Sequence, residues 1–226
     1  MFYEPHKRNH GLPYDPFNSL VIPRPIGWVT SLSRDGRLNL APFSHFNVCS
    51  TDPPAVMFGP GGKDGGGPKD SRRNAEETGE FVVNMVPYEL HKRMNLTSAP
   101  VDYGIDEAEM AGLEVVPSIK VRTPRLAASP INLECRHHVT VALPRGTGPS
   151  GGAVVVGLIV GVHISESVIT DGVIDVAKFR PIARLGYADY ALIDQTFRMP
   201  RPTAATVAAL NEHKRAGGPR RQDDDI

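Results

Sequence analysis

The sequence predicts an all-β barrel with helical additions. Three observations lead there. Short runs rich in branched residues are punctuated by turns, and the 226 residues include 22 glycines and 21 prolines. Two longer β-branched runs, 131–143 and 153–165, are joined by a Gly/Pro turn. Alternating βα units are absent, which argues against a doubly wound parallel sheet.

Each element has a local reason. Residues 1–19 are polar and aromatic, with Pro5, Pro13 and Pro16, and read as an irregular arm. The first strand covers 26–31. It ends at Ser33-Arg34-Asp35-Gly36, and Asp-Gly between apolar runs is a strong hairpin signal. The returning strand covers 38–44. Pro42 has no N–H for the ladder, so a bend or bulge is expected there. Asp52-Pro53-Pro54 turns the chain into a short strand at 55–58. Residues 59–69 hold six glycines in eleven positions and read as a flexible loop. Asp70 or Ser71 caps a helix that Gly79 stops. A strand follows at 81–85, and Pro87 opens a second helix reaching about residue 96. The stretch 100–112 carries Asp102, Asp106, Glu107 and Glu109 and reads as a solvated loop or short helix. A short helix is expected over 174–179. Residues 203–214 have helical composition, and the last ten read as disordered. The expected organisation is an arm (1–14), one domain (15–195) and a tail (196–226).

Charge and cysteine content exclude several classes. Lys+Arg and Asp+Glu are 25 each, so the net charge is zero, which argues against nucleic-acid or membrane-surface binding. The longest apolar run, 153–162, is too short to span a bilayer. The polar start carries no signal-peptide pattern, and a cytoplasmic location is expected. Cys49 and Cys135 alone make neither a disulfide framework nor a zinc site.

Three motif matches carry no chemistry. Gly146 to Gly151 fits G-x-G-x-x-G, and Gly148 to Gly152 fits G-x-S-x-G. Both motifs need a helix next, and a β-branched run follows instead. Cys135, His137 and His138 cluster in sequence, but adjacent strand residues face opposite ways, and zinc wants three or four ligands. No metal is expected. Asn95-Leu96-Thr97 fits a glycosylation acceptor, which is irrelevant without secretion.

The informative constellation lies between Pro23 and Asn84. Thr30 and Ser31 close a strand, Ser44, His45 and Asn47 follow a proline, and Lys69-Asp70-Ser71-Arg72-Arg73-Asn74 starts a helix after the glycine loop. A helix amino terminus beside basic residues suits a phosphate, with hydroxyls as neutral donors. Plain capping with solvated basic residues explains the same pattern equally well.

Several blocks in order then resemble the flavin reductase-like, FMN-binding split-barrel family, closest to its flavoredoxin and monooxygenase-reductase branch. They are Arg24-Pro25-Ile26-Gly27-Trp28-Val29-Thr30-Ser31, Asn39-Leu40-Ala41-Pro42-Phe43-Ser44-His45-Phe46-Asn47 and Asp52-Pro53-Pro54. Lys69-Asp70-Ser71 with Asn74, the join Glu77 to Asn84, Leu133-Glu134-Cys135, Gly161 to Ile164 and Pro181 to Gly186 agree. The resemblance covers roughly residues 15 to 192. It implies a mainly β, six-stranded antiparallel Greek-key split barrel, a homodimer, and one non-covalent FMN per subunit near the interface. Three departures stand out: a longer, glycine-rich loop at 59–68, Ser71 for the usual Thr, and Gly186-Tyr187 for the usual Gly-Gly.

The implied FMN-binding residues are Thr30, Ser31, Lys69, Asp70 and Ser71 towards the phosphate, and Phe43, Ser44, His45, Phe46 and Asn47 along the isoalloxazine ring. The implied activity is hydride transfer from NADH or NADPH to the flavin. That step needs stacked rings rather than a protein acid or base. No catalytic side chain is therefore named; His45 and His163 are the two worth testing. The alternatives are an FMN-containing electron carrier reduced by a partner protein, and a flavin-binding protein without redox turnover. A monooxygenase or other acceptor protein is the implied partner.

Overall fold

The computed structural model describes residues 1–63, 66–144 and 151–208. The turn residues 146–150 of the two discarded glycine motifs and the tail beyond 208 lie outside the described residues. The chain divides into two units, Met1–Gln195 and Thr196–Ile226. In the second, residues 204–208 form a short helix. No helix among the described residues is long and apolar enough to cross a membrane.

The first unit is built on one antiparallel sheet. Its strands are β1 (Gly27–Leu32), β2 (Leu38–Phe43), β3 (Phe46–Thr51), β4 (Pro54–Phe58), β5 (Glu80–Met85), β6 (Ile131–Ala142) and β7 (Ala153–Ile164). The spatial order is β2-β1-β5-β6-β7-β4-β3, seven strands rather than the six expected.

Connectivity closes this sheet. The edge strands β2 and β3 are consecutive in the chain and separated only by Ser44 and His45. Laid flat, seven strands would put the edges roughly 29 Å apart at the usual spacing. Three peptide links from Phe43 to Phe46 span at most about 11 Å. The sheet must therefore curl until its edges meet. They meet without a ladder, so the barrel stays open along a seam at Ser44–His45. Phe46 shows the closure: its ring lies so close over Gly27 that a Cβ there would be 2.6 Å from it.

Strand alternation fills the barrel. Val29, Phe43, Phe46, Phe58, Phe81 and Val155 pack inside together with Cys135 and with Ala75 of helix α1 (Asp70–Thr78). The outer face of β1 and β2 carries Trp28, Leu38 and Leu40 into a second core. That core is roofed by α2 (His91–Leu96) and α3 (Glu107–Met110), which supply Met94 and Ala108. Trp28 is fully buried, and its indole N–H donates to Thr97 Oγ1 at 2.8 Å, as a buried indole requires.

Buried polar residues on the outer face of β5 and β6 hold the segment 118–126 across them. Glu80 accepts from the amides of Arg122 and Thr123, Asn84 from that of Leu126, and Glu134 from those of Ile119, Lys120 and Val121. His163 donates Nε2 to Glu134 Oε1 at 2.5 Å. Burial acts to raise the Glu134 pKa. The His163 hydrogen bond, the Ile119 and Lys120 amides and the His163 charge outweigh it and hold the carboxyl below its ordinary value.

Several expectations change. Pro42 causes no bulge: β1 and β2 pair in unbroken register from Gly27↔Phe43 to Leu32↔Leu38. As an edge strand, β2 tolerates a residue without an N–H. The acidic stretch is not wholly solvated, because Glu107 is buried and accepts from the edge-strand amide of Leu40 at 2.8 Å. Burial pushes its pKa up. The second helix is a 3₁₀ turn, Tyr88–Leu90, followed by α2. Helix α1 stops as expected at Gly79, with φ +75°, but its N-cap is Lys69, whose side chain makes no capping hydrogen bond.

Candidate functional site

The site grows from the seam. At the Ser44–His45 crossing the chain leaves the ladder, and both residues line a cavity of about 460 Å³. A second wall is the hairpin β8 (Ile182–Gly186) and β9 (Asp189–Leu192), to which the two-residue strand Arg24–Pro25 adds antiparallel. It contributes Arg24, Arg184, Tyr187 and Tyr190. Asp15 and Asn18, at the start of the expected domain, form part of the third wall.

Gly186 shows how tightly this segment and the hairpin meet. Its φ is +100°, and a Cβ there would lie 2.2 Å from Ser19 Oγ and 2.8 Å from Asn18 O. Only glycine fits. A second cavity, about 590 Å³, shares Asn95, Ser98, Arg184, Tyr187 and Tyr190 with the first and opens towards Tyr88 and His91.

The sequence-derived site residues separate where the chain leaves the ladder between the two strands. Phe43 and Phe46 turn into the barrel core, while Ser44 and His45 face the cavity. Asn47 is exposed, and its Oδ1 accepts from the Val48 amide. Burial, and then the Arg24 charge, depress the His45 pKa, which favours a neutral imidazole. The glycine loop begins against this residue: the Gly59 amide donates to His45 O at 2.6 Å. The described part of the loop is tied down further by the Lys63–Asp70 ion pair at 2.6 Å.

At the other end of that loop lies α1. Ser31 and Ser71 come together there through Asn39 and Asn74. Asn39 Nδ2 donates to Ser71 Oγ at 2.9 Å, and Asn74 Nδ2 donates to Ser31 Oγ at 3.2 Å. The Asn74 Oδ1 beside them is buried and has no hydrogen-bond partner among the described residues. Thr30 is not part of this cluster. It lies on the opposite face of β1, fully buried, and donates to Pro124 O at 2.7 Å. Lys69 and Asp70 stand at the helix start, and among the described residues no side chain caps its first-turn amides, which suit an anion.

His163 lies away from both cavities, paired with Glu134 on the outer face. Cys135 is in the core, its thiol pKa raised by burial, and His137 bonds to Thr140. The described residues contain no group of three metal-ligating side chains. Sequence reasoning missed Asn18, Asn95, Ser98 and Tyr190 as cavity residues. Arg24 and Arg184 were legible only as members of family-like blocks.

The Flavin reductase like domain family matches residues 19–183. The chain belongs to the flavin reductase-like family. A protein of Halalkalibacterium halodurans, BH2278, is 38% identical over 183 residues, covering 81% of this chain and 88% of that one. Among solved structures, nitrilotriacetate monooxygenase component B from Bacillus cereus superposes with a TM-score of 0.81 at 29% identity, covering 88% of this chain and 98% of that one. Pseudomonas fluorescens 2-nitrobenzoate 2-nitroreductase NbaA gives 0.71 at 32% identity, covering 83% of this chain and 89% of that one. The fold of this family member is therefore a mainly β split barrel, with a seven-stranded main sheet.

Proposed function

We propose that the protein is an NAD(P)H-dependent flavin reductase that holds FMN non-covalently and works as a homodimer. The observation that carries this is the continuity from the seam to α1. His45 faces the cavity, its carbonyl anchors the glycine loop, and the loop leads to the helix start at Lys69. A ring at the seam and a phosphate at α1 fit these two ends. The Lys63–Asp70 pair neutralises the one carboxylate at the helix start, so it does not repel a phosphate.

FMN held here would supply the redox chemistry of hydride transfer from a nicotinamide, which the side chains themselves do not provide. The protein's part is to hold and orient. Lys69 and the first-turn amides of α1 bind the phosphate, and Ser71 adds its hydroxyl. The Ser31–Asn39–Asn74 network fixes Ser71 from below. Backbone amides between Phe43 and Asn47 would meet the polar edge of the ring, while Phe43 and Phe46 anchor that segment in the core. The similarity to a monooxygenase component supports a partner enzyme that consumes the reduced flavin.

A charge-assisted bond to phosphate contributes about 1.5–3 kcal/mol. Lys69→Ala is therefore expected to weaken FMN roughly ten-fold or more and to leave riboflavin nearly unchanged. Equal losses for both flavins would remove Lys69 from the phosphate site. The function itself is tested by an absorbance spectrum of the purified protein, then anaerobic NADH and NADPH. Rapid bleaching of the flavin supports the reductase. Slow bleaching by both nicotinamides, with fast electron exchange with a protein partner, would replace it with an electron carrier.

A further inference from the structure

Arg24 and Arg184 stand directly opposite each other across the Arg24–Pro25/β8 ladder. Like charges in that position repel. Neither has a carboxylate within ion-pair distance among the described residues. Both line the same cavity. Its one carboxylate, on Asp15, is not paired with either arginine, and Asp15 Oδ1 accepts from the Phe17 amide instead.

Each guanidinium is held in place with capacity to spare. Arg24 gives Nη1 to the carbonyls of Asn18 and Val21 and reaches Ser44 Oγ only at 3.5 Å through Nε. Its Nη2 has no protein acceptor among the described residues. Arg184 gives Nη1 to Tyr190 Oη and Nη2 to the Tyr187 carbonyl, which leaves Nε.

The aromatic wall is also set up at a cost. Tyr187 adopts φ +43°, a left-handed conformation that is unfavourable for a bulky side chain. The Arg184 bond to its carbonyl and an edge contact with Tyr14, at 6.2 Å between centroids, hold it there. Tyr190 stacks beneath the Arg184 guanidinium at 4.6 Å. Two tyrosine rings and two uncompensated guanidiniums thus face one space. Planar guanidinium forks match carboxylate and phosphate geometry.

We propose that Arg24 and Arg184 form a subsite for the anionic group of a ring-bearing ligand, with Tyr187 and Tyr190 packing against its ring. Given the flavin-binding reading above, on which its role in turnover rests, this ligand is the molecule that exchanges electrons with the flavin. Two sources share the chemistry: an aromatic carboxylate acceptor, and the pyrophosphate of a nicotinamide dinucleotide.

The test titrates FMN-loaded protein with benzoate, with its neutral isostere benzamide, and with ADP-ribose, following the difference spectrum of the bound flavin. Benzoate or ADP-ribose is expected to bind at least ten-fold more tightly than benzamide. Arg24→Gln and Arg184→Gln should each reduce that preference five-fold or more, and Arg24→Lys should keep part of it. Arginine-dependent benzoate binding without ADP-ribose binding assigns the site to a carboxylated acceptor. The reverse assigns it to the dinucleotide. Equal binding of benzoate and benzamide with arginine-independent ADP-ribose binding, or no binding of any probe, overturns the proposal. So does loss of FMN but not riboflavin in the arginine variants, which would make the arginines the flavin-phosphate site. If the protein binds no added FMN, the flavin-binding reading fails. Calorimetric titration of flavin-free protein with the same probes then still decides the subsite.

Discussion

Glu134→Ala is expected to destabilise the protein by about 3 kcal/mol or more, because it leaves three backbone amides without their acceptor and each unsatisfied buried donor costs about 1–3 kcal/mol. Glu134 is fully buried, and three backbone amides and His163 converge on its two oxygens. Removing it releases the segment 118–126 and leaves His163 without its acceptor. Denaturant unfolding of the variant against wild type measures the loss. A difference under about 1 kcal/mol, the scale of an exposed pair, would show that this carboxylate does not pin the segment.

The pH dependence has a definite sign. The folded Glu134 carboxyl lies below its ordinary value of 4.5. Its contribution is therefore complete above the unfolded value and is lost as pH falls through the folded one. Wild type and Glu134→Gln should differ most near neutrality and converge in acid. A gap that widens below pH 4.5 would contradict the assignment.

Val156→Glu is expected to give monomers and to lose FMN together. Val155 is fully buried in the barrel, so its neighbour Val156 faces out, opposite Met57 and Val139. Around it, Val139 and Val141 are 40% and 49% exposed in the isolated chain. An apolar strip of this kind on a sheet face fits a second copy of the same surface, and a buried glutamate would be costly there. Light scattering with flavin absorbance read on the same peak measures both outcomes at once. A monomeric wild type that binds flavin stoichiometrically would overturn the homodimer and the placement of the site near its seam.

Much of the fold was legible along the chain. Asp35-Gly36 marks the β1–β2 hairpin, and Gly79 ends α1 in the left-handed region. These are local signals, set by backbone sterics. The misreadings have a common cause. Pro42 and Glu107 both depend on β2 being an edge strand, where a missing N–H costs little and an unpaired amide attracts a carboxylate. Edge or centre is a property of the sheet order, which no window of sequence contains.

The candidate site divides in the same way. The helix start at Lys69-Asp70-Ser71 and the polar Ser44-His45 pair are readable because short motifs carry their own geometry. That Thr30 and Ser31, adjacent in sequence, serve different networks follows from alternation once both faces of β1 are known to be buried. The juxtaposition of Arg24 with Arg184, 160 positions apart, depends on a strand pairing that the chain announces nowhere. The sequence by itself determined the β class, the turn positions, the helix stop and the family. Tertiary structure decided that a seven-stranded sheet closes at Ser44–His45, because a two-residue link joins its edges, and that the resulting seam gathers the start of the domain, a hairpin and two like charges around one cavity.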